Sequence, residues 1–323
     1  LPRCNGTVAA DGHLGEVLET PSRSRFSVED RPIPVIVNRR GGTAARLGDG
    51  LEAALRDAFA AAGVAVRIEL TQPELVSEMI SRCDDPLIVV GGGDGTLGAA
   101  AGKLAGTGRR MAILPLGTRN HLARDLGIPG DLEGAARVVA TGRAEAIDLG
   151  RAADRIFVNN CSIGLYASLV HERDKHDLPK WLASIPAAWR VLRSSGAETF
   201  RIEHHGAEHR VESPLLFVGN NRFSLDAGRL GRRASLSDGV LAMAAVAPVS
   251  RAELLGMALR LIAGKADAER DFAAIEDVEV LTVYGYHRRR VALDGELVRL
   301  QFPLKISILP AALQVLVPAS PPA

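Results

Sequence analysis

Short apolar runs alternate with amphipathic stretches through the first half of the chain. Val35-Ile36-Val37, Val64 to Leu70, Leu87 to Val90 and Met111 to Leu114 read as buried strands. Between them, apolar residues recur at helical spacing near 51–62 and 73–82. Leu51, Leu55, Ala58, Phe59 and Ala62 share one face, and Gly63 follows as a helix stop. A further helix follows each of the third and fourth strands, near 97–105 and 121–126, and another spans 132–140 before Thr141-Gly142. Strands alternating with helices predict a mostly parallel sheet covered on both faces, a three-layer α/β domain.

Past Ile147 the texture changes. Apolar runs bounded by Gly, Asn, Asp or Ser, such as Phe157-Val158, Leu215 to Val218, Gly239 to Val246 and Val278 to Tyr284, predict antiparallel strands. Two helical insertions interrupt them: 165–193, broken near Pro179, and 251–263, opened by the capping box Ser250-x-x-Glu253. The expected organisation is an extension over 1–31, an α/β domain over 32–146, a β-sandwich domain with helical insertions over 147–317, and a Pro-rich tail over 318–323. The last strand is free to return to the first domain.

Two of the predicted strands run into polar turns. The third ends in Gly91-Gly92-Gly93-Asp94-Gly95-Thr96 and the fourth in Pro115-Leu116-Gly117-Thr118-Arg119-Asn120-His121. Glycines let backbone approach a polyphosphate, and a helix start aims free N–H groups and its positive dipole end at that charge. In a doubly wound sheet, turns at the carboxyl ends of neighbouring strands open into one crevice. The backbone of Gly92, Gly93, Gly95 and Thr96 is therefore the candidate phosphate cradle, with the Thr96 and Thr118 hydroxyls beside it. Asp94 next to phosphate is repulsive unless a metal or backbone N–H groups intervene; a magnesium contact through water and a turn-closing role both meet that need.

The GGDGT motif followed by PxGTxN resembles the diacylglycerol kinase catalytic-domain family, which includes bacterial lipid kinases and sphingosine and ceramide kinases, and is more distantly similar to NAD kinases and phosphofructokinases. The resemblance covers 35–317 and implies a two-domain kinase that uses ATP and Mg2+, with its active site between the domains. It implies nucleotide contacts from Asn38, Gly41 and Gly42 in the first turn, from Thr71 after the second strand, and from Gly117, Thr118 and Asn120 in the fourth. Leu293-Asp294-Gly295-Glu296 resembles the family's late acidic segment, which makes Glu296 the implied general base; read alone, Asp-Gly between two apolar runs is a hairpin turn. The stretch Ser235 to Val240 resembles a segment that binds a second, structural magnesium through the Asp238 carboxylate and the carbonyls of Ser235 and Val240.

Two departures stand out. The family's GGDGTxNE continues here as Gly98-Ala99, and its GTxND ends in His121, so two acidic positions are missing. Their share of a magnesium network would fall to Asp94 and Asp148, while His121 would bond phosphate or cap its helix. Losing the NE pair also argues against an NAD acceptor. The leading reading is an ATP-dependent lipid kinase with diacylglycerol as acceptor. The alternatives are a nucleotide- or lipid-binding regulator that has lost turnover, and a kinase of a small soluble alcohol.

Composition narrows the partners. In 323 residues, 39 Lys and Arg against 38 Asp and Glu give a formal charge of +1, which supplies no field for nucleic acid. Cys4, Cys83 and Cys161 are odd in number and widely spaced, as in a reducing cytoplasm. No run reaches the roughly 18 apolar residues of a membrane span, and the opening stretch lacks the apolar centre of a signal peptide. A lipid substrate would then be met at a membrane surface, and the basic, Trp-containing stretch 180–193 would either rest on it or pack on the β domain. His204, His205 and His209 around Gly206 read as a hairpin tip, and Arg288 to Arg290 as a solvated strand edge. A homodimer stays open.

Overall fold

The computed structural model describes residues 31–40, 42–164, 198–223, 232–233, 235–247, 272–285 and 288–320. Gly41, the extension over 1–30, and the predicted insertions at 165–193 and 251–263 lie outside these.

Four strands, β1 (Ile33–Asn38), β2 (Val66–Thr71), β3 (Leu87–Gly92) and β4 (Arg110–Pro115), lie parallel in the order β2-β1-β3-β4. Asn38 stands opposite Thr71 and Gly92 opposite Pro115, so the polar turns leave one edge of the sheet. All six residues of β1 are buried, as a strand covered on both faces must be. The covering helices are α1 (Gly42–Leu47), α2 (Leu51–Ala61), α3 (Val76–Arg82), α4 (Asp94–Leu104), α5 (His121–Asp125) and α6 (Leu132–Thr141). The face of α2 that turns inward carries Leu51, Leu55, Ala58 and Phe59. Asp131 caps α6 by accepting the Gly134 N–H at 2.6 Å. Helix α4 begins at Asp94, not at Leu97: glycines hide the apolar period, yet an acidic first-turn residue suits the positive end of the helix.

Beyond α6 come β5 (Arg143–Ala152), β6 (Arg155–Phe157) and β7 (Asn160–Gly164), then β8 (Glu198–His204), β9 (Ala207–Ser213), β10 (Leu215–Asn220) and β11 (Leu241–Val246). The remaining strands are β12 (Phe272–Val278), β13 (Val280–Tyr284), β14 (Arg288–Leu293), β15 (Glu296–Gln301) and β16 (Leu304–Val317). Among the described residues they complete two sheets. One holds ten strands and runs β2-β1-β3-β4-β16-β13-β8-β9, with β5 on β16 and β6 on β5; the other holds six, β12-β11-β10-β7-β14-β15. Strand β16 pairs in parallel with β4 and antiparallel with β5 and β13, so the α/β sheet continues into one sheet of the β-sandwich.

The run Val278 to Tyr284 is not one strand. It divides at Glu279, and β12 and β13 on either side enter different sheets. Two cores result. Phe59, Leu55, Ile88, Val89 and Leu97 belong to the first, while Phe157, Phe200, Leu216 and Leu281 belong to the second, between the sheets. No helix among the described residues is long and apolar enough to cross a membrane.

Phe59 is fully buried at the centre of the first core. Phe59→Ala is expected to lower the urea-unfolding free energy by about 3–5 kcal/mol, the range for deleting a core aromatic ring.

Candidate active site

The turns at the carboxyl edge of the parallel sheet are tied to one another. Asn38 at the end of β1 donates its side-chain N–H to Thr96 Oγ1 at 2.9 Å, linking the first turn to α4, and its Oδ1 accepts the Arg40 N–H at 2.9 Å. The Thr43 N–H bonds the Leu116 carbonyl at 2.8 Å. Gly42 has φ +50° and lies against that same carbonyl, where a side chain would collide. Gly117 packs on the Cα of Gly93, so the two glycine turns touch backbone to backbone. Asn120, at φ 49°, holds the fourth turn by accepting the Gly117 N–H at 2.9 Å and donating to the carbonyls of Pro115 and Gly117 at 3.1 and 3.0 Å.

Asp94 bridges the two motifs. Its Oδ1 accepts the Leu122 N–H of α5 at 3.2 Å, which meets its need for a positive neighbour with backbone. Thr71 is buried at the end of β2, and Thr118 is exposed in the fourth turn. His121 does not cap α5, whose N-cap is Asn120. Its ring pairs with Arg124 Nη2 at 2.8 Å, and burial lowers its pKa, with Arg124 and Arg119 adding to the effect against Asp94.

The second lobe reaches this edge through the β14–β15 hairpin. Asp294 and Gly295 both have positive φ, 49° and 84°, the two-residue turn that Asp-Gly favours. The half-buried Asp294 carboxylate accepts three consecutive N–H groups, from Val158 at 2.8 Å, Asn159 at 2.7 Å and Asn160 at 3.0 Å. Its Oδ2 lies 3.2 Å from where a side chain on Gly98 would begin. Glu296, two residues on, sets Oε1 against Gly95, where a methyl group would run into it. The acidic hairpin therefore occupies the space above α4 that side chains at 95 and 98 would fill. A cleft of about 350 Å³ opens there, lined by Gly95, Gly98, Ala99 and Glu296 and by Arg155 and Ile156 of β6.

Several residues implied for magnesium are engaged by the protein itself. Asp148 does not join a metal network: it is buried, and its two oxygens accept N–H groups from Ala311 at 2.8 Å and Gly239 at 2.7 Å. The Ser235–Val240 segment is also engaged. Asp238 lies 3.7 Å from Arg222, whose Nε bonds Asp277 at 2.7 Å, and the Val240 carbonyl accepts the Asn221 N–H. A guanidinium stands beside the Asp238 carboxylate, and the Ser235 hydroxyl accepts the Ser237 N–H within its own turn. The second magnesium stays what the resemblance implies for this segment. Among the described residues no group of three or more His, Cys, Asp or Glu side chains is arranged to hold a metal. Asp94 and Glu296 remain as the acidic groups beside the glycine turns.

Sequence reasoning missed Asp125, Asn159, Asn220 and Arg233, which join the lobes behind the cleft. Arg233 bonds Asp125 at 2.8 Å, the Val158 carbonyl at 2.6 Å and Asn159 Oδ1 at 2.9 Å, and Asn220 donates to the carbonyls of Asp148 and Val158. None of these residues stands in a periodic pattern or a glycine motif.

Glycine turns at the carboxyl edge of a parallel sheet, faced across a cleft by a carboxylate from a β-sandwich lobe, define a two-lobed phosphotransferase. Residues 32–152 match the diacylglycerol kinase catalytic domain, and residues 161–317 match the YegS C-terminal NAD kinase beta sandwich-like domain. A Pseudomonas putida protein named "Probable lipid kinase YegS-like" is 34% identical over 241 residues, covering 73% of this chain and 78% of its own. A Staphylococcus aureus diacylglycerol kinase is 27% identical over 219 residues, covering 65% and 68%. The crystal structure of a diacylglycerol kinase from Bacillus anthracis str. Sterne superposes with a TM-score of 0.63 at 22% identity over 88% of this chain and 96% of that one, a likeness of fold. The chain belongs to the diacylglycerol kinase-like lipid kinase family, phosphotransferases with an alcohol group as acceptor.

Two outcomes follow from this geometry. Gly95→Ala is expected to keep or raise the thermal midpoint, since alanine favours a helix, while displacing the Glu296 side chain from α4, which a crystal structure of the variant checks. Burial pushes the Asp294 carboxyl up to about 6, against the lowering effect of its three N–H donors and Arg233. An unfolded aspartate titrates near 3.9, so the folded chain holds the extra proton between about pH 4 and 6. The stability this group contributes is full below that window and is lost as pH rises through about 6. Urea unfolding across the window should show this fall in wild type and lack it in Asp294→Asn.

Proposed function

We propose that the chain transfers the γ-phosphate of ATP to a lipid hydroxyl, with diacylglycerol as the acceptor and phosphatidic acid as the product. One observation carries the reading: Glu296, from the β-sandwich lobe, stands over Gly95, inside the turn that would hold the phosphates. Phosphoryl transfer asks a protein mainly to align the reactants and to offset charge. Backbone N–H groups of Gly93, Gly95 and Thr96 at the start of α4, with the fourth turn around Gly117 and Thr118, would receive the triphosphate. Asn38, Gly42 and Thr71 would line the nucleotide side, and Asn120 would keep the fourth turn in shape.

Glu296 would accept the proton of the acceptor hydroxyl as its oxygen bonds to the γ-phosphorus. The bond from that phosphorus to the β–γ bridging oxygen breaks, and ADP leaves with the electron pair. Magnesium bound with ATP would offset the phosphate charge, with Asp94 the residue placed to hold it through water. Diacylglycerol is what the Staphylococcus aureus relative is named for, and a membrane-borne acceptor would bring this chain to a lipid surface as a peripheral protein.

A second reading, a regulator that binds nucleotide or lipid without turnover, is favoured by the departures at Gly98, Ala99 and His121. Radiolabelled ATP with diacylglycerol vesicles and with soluble alcohols separates the readings. Transfer to lipid that falls at least 100-fold in Glu296→Gln, with ATP affinity kept, is the expected result. ATP binding with no transfer to any acceptor would establish the regulator, and transfer to soluble alcohols alone would replace the lipid.

A further inference from the structure

Among the described residues, only one carboxylate–guanidinium pair is buried on both sides. Asp125 and Arg233 meet at 2.8 Å with side-chain exposures of 2% and 0%. Asp125 ends α5, the helix whose first turn is fixed to Asp94 through the Leu122 N–H. Arg233 stands ahead of β11 in the second lobe, its guanidinium 5.6 Å over the Phe223 ring. Its other donors reach the Val158 carbonyl, the Asn220 carbonyl at 3.4 Å and Asn159 Oδ1.

Two adjacent residues therefore serve both sides. Val158 and Asn159 give acceptor atoms to Arg233, while the N–H groups of Val158, Asn159 and Asn160 go to Asp294. A circuit closes: Asp94, Leu122, Asp125, Arg233, the 158–160 segment, Asp294, Glu296 and Gly95, which adjoins Asp94. A planar guanidinium with several fixed donors holds a backbone segment in one orientation, as an apolar contact would not. A buried ion pair also adds little net stability over well-packed apolar residues, which directs attention from stability to geometry.

We propose that the Asp125–Arg233 pair is the positioning device for the base: it fixes the 158–160 segment, and through Asp294 the hairpin, where Glu296 stands over Gly95. This rests on the reading of Glu296 as proton acceptor. Asp294 is faced by Arg233 across the segment, by the Cys161 thiol, and around the cleft by Glu296, Asp154, Arg155 and Lys103. Removing the Arg233 charge takes away an influence that holds the Asp294 proton affinity down.

The test replaces the pair by apolar residues of similar volume, Asp125→Leu with Arg233→Met, in the full chain. The double variant should fold with a thermal midpoint near that of wild type and bind ATP with unchanged Kd by calorimetry. Its kcat on diacylglycerol vesicles should fall at least tenfold, and the acid limb of its pH profile should move upward. Amide hydrogen exchange at 158–160 should accelerate at least tenfold while β3 and β4 stay protected. Arg233→Lys, which keeps the charge but loses the fork, should leave the acid limb near its wild-type place without restoring kcat; it carries the exchange and kcat readouts if the double variant does not fold.

Unchanged exchange at 158–160 or unchanged kcat in the folded variant would overturn the proposal. Failure of the parent reading looks different: Glu296→Gln as active as wild type, with exchange at 158–160 still answering to Arg233.

Discussion

The Asp294 carboxylate receives the N–H groups of three consecutive residues in a half-buried setting, and the arrangement of the lobes depends on that contact. An ionised carboxylate removed from water is tolerated only when its lone pairs are filled. Here they are filled by backbone from the loop between β6 and β7, which fixes the hairpin to that loop rather than to solvent. Because Asp294 lies in the left-handed region at the hairpin tip, one residue sets the turn geometry and anchors the turn. Glu296 inherits its place from that anchor.

Continuity of the large sheet supplies the stiffness behind this contact. Strand β16 is hydrogen-bonded to β4 of the α/β layer and to β5 and β13 of the sandwich, so the lobes share a strand instead of a flexible linker. Relative motion of the lobes would have to bend a 14-residue strand or break its ladder. The register shift between Leu309 and Leu313, with Ala311 at φ 51°, marks where β16 changes direction, and the Ala311 N–H there bonds Asp148. A buried aspartate thus secures the bend in β16, as Asp294 secures the hairpin.

Much of the first lobe was legible because its signals are local. Apolar runs of one strand length, an amphipathic α2 and two glycine turns are features of consecutive residues, and Asn38, Gly93, Thr96 and Gly117 do meet at one sheet edge. The second lobe was legible as β structure but not in its pairing: Val278 to Tyr284 reads as one run, and only the break at Glu279 sends its halves to different sheets. Asp125 and Arg233 were not legible, since their meaning comes from a partner 108 positions away. The start of α4 was misplaced because glycine carries no period. The structural magnesium segment matched in sequence, yet Arg222, outside the matched residues, changes what Asp238 faces.

The departures at Gly98 and Ala99 bear on chemistry through space as much as charge. A side chain at 98 would begin 3.2 Å from Asp294 Oδ2, so the small residue there and the close approach of the hairpin imply each other. Gly95 stands in the same relation to Glu296. Carboxylates delivered from the other lobe thereby reach the α4 face, as the resemblance implies for the late acidic segment, and here they stand there without the helix-borne acid that the family pattern carries at the position of Ala99. Such a site depends more heavily on lobe alignment than one whose acids sit on the nucleotide-side helix itself, because a carboxylate on a hairpin is only as well placed as the contacts that hold the hairpin. That dependence gives a physical reason for a fully desolvated Asp125–Arg233 pair behind the cleft, where an apolar contact would have served stability as well.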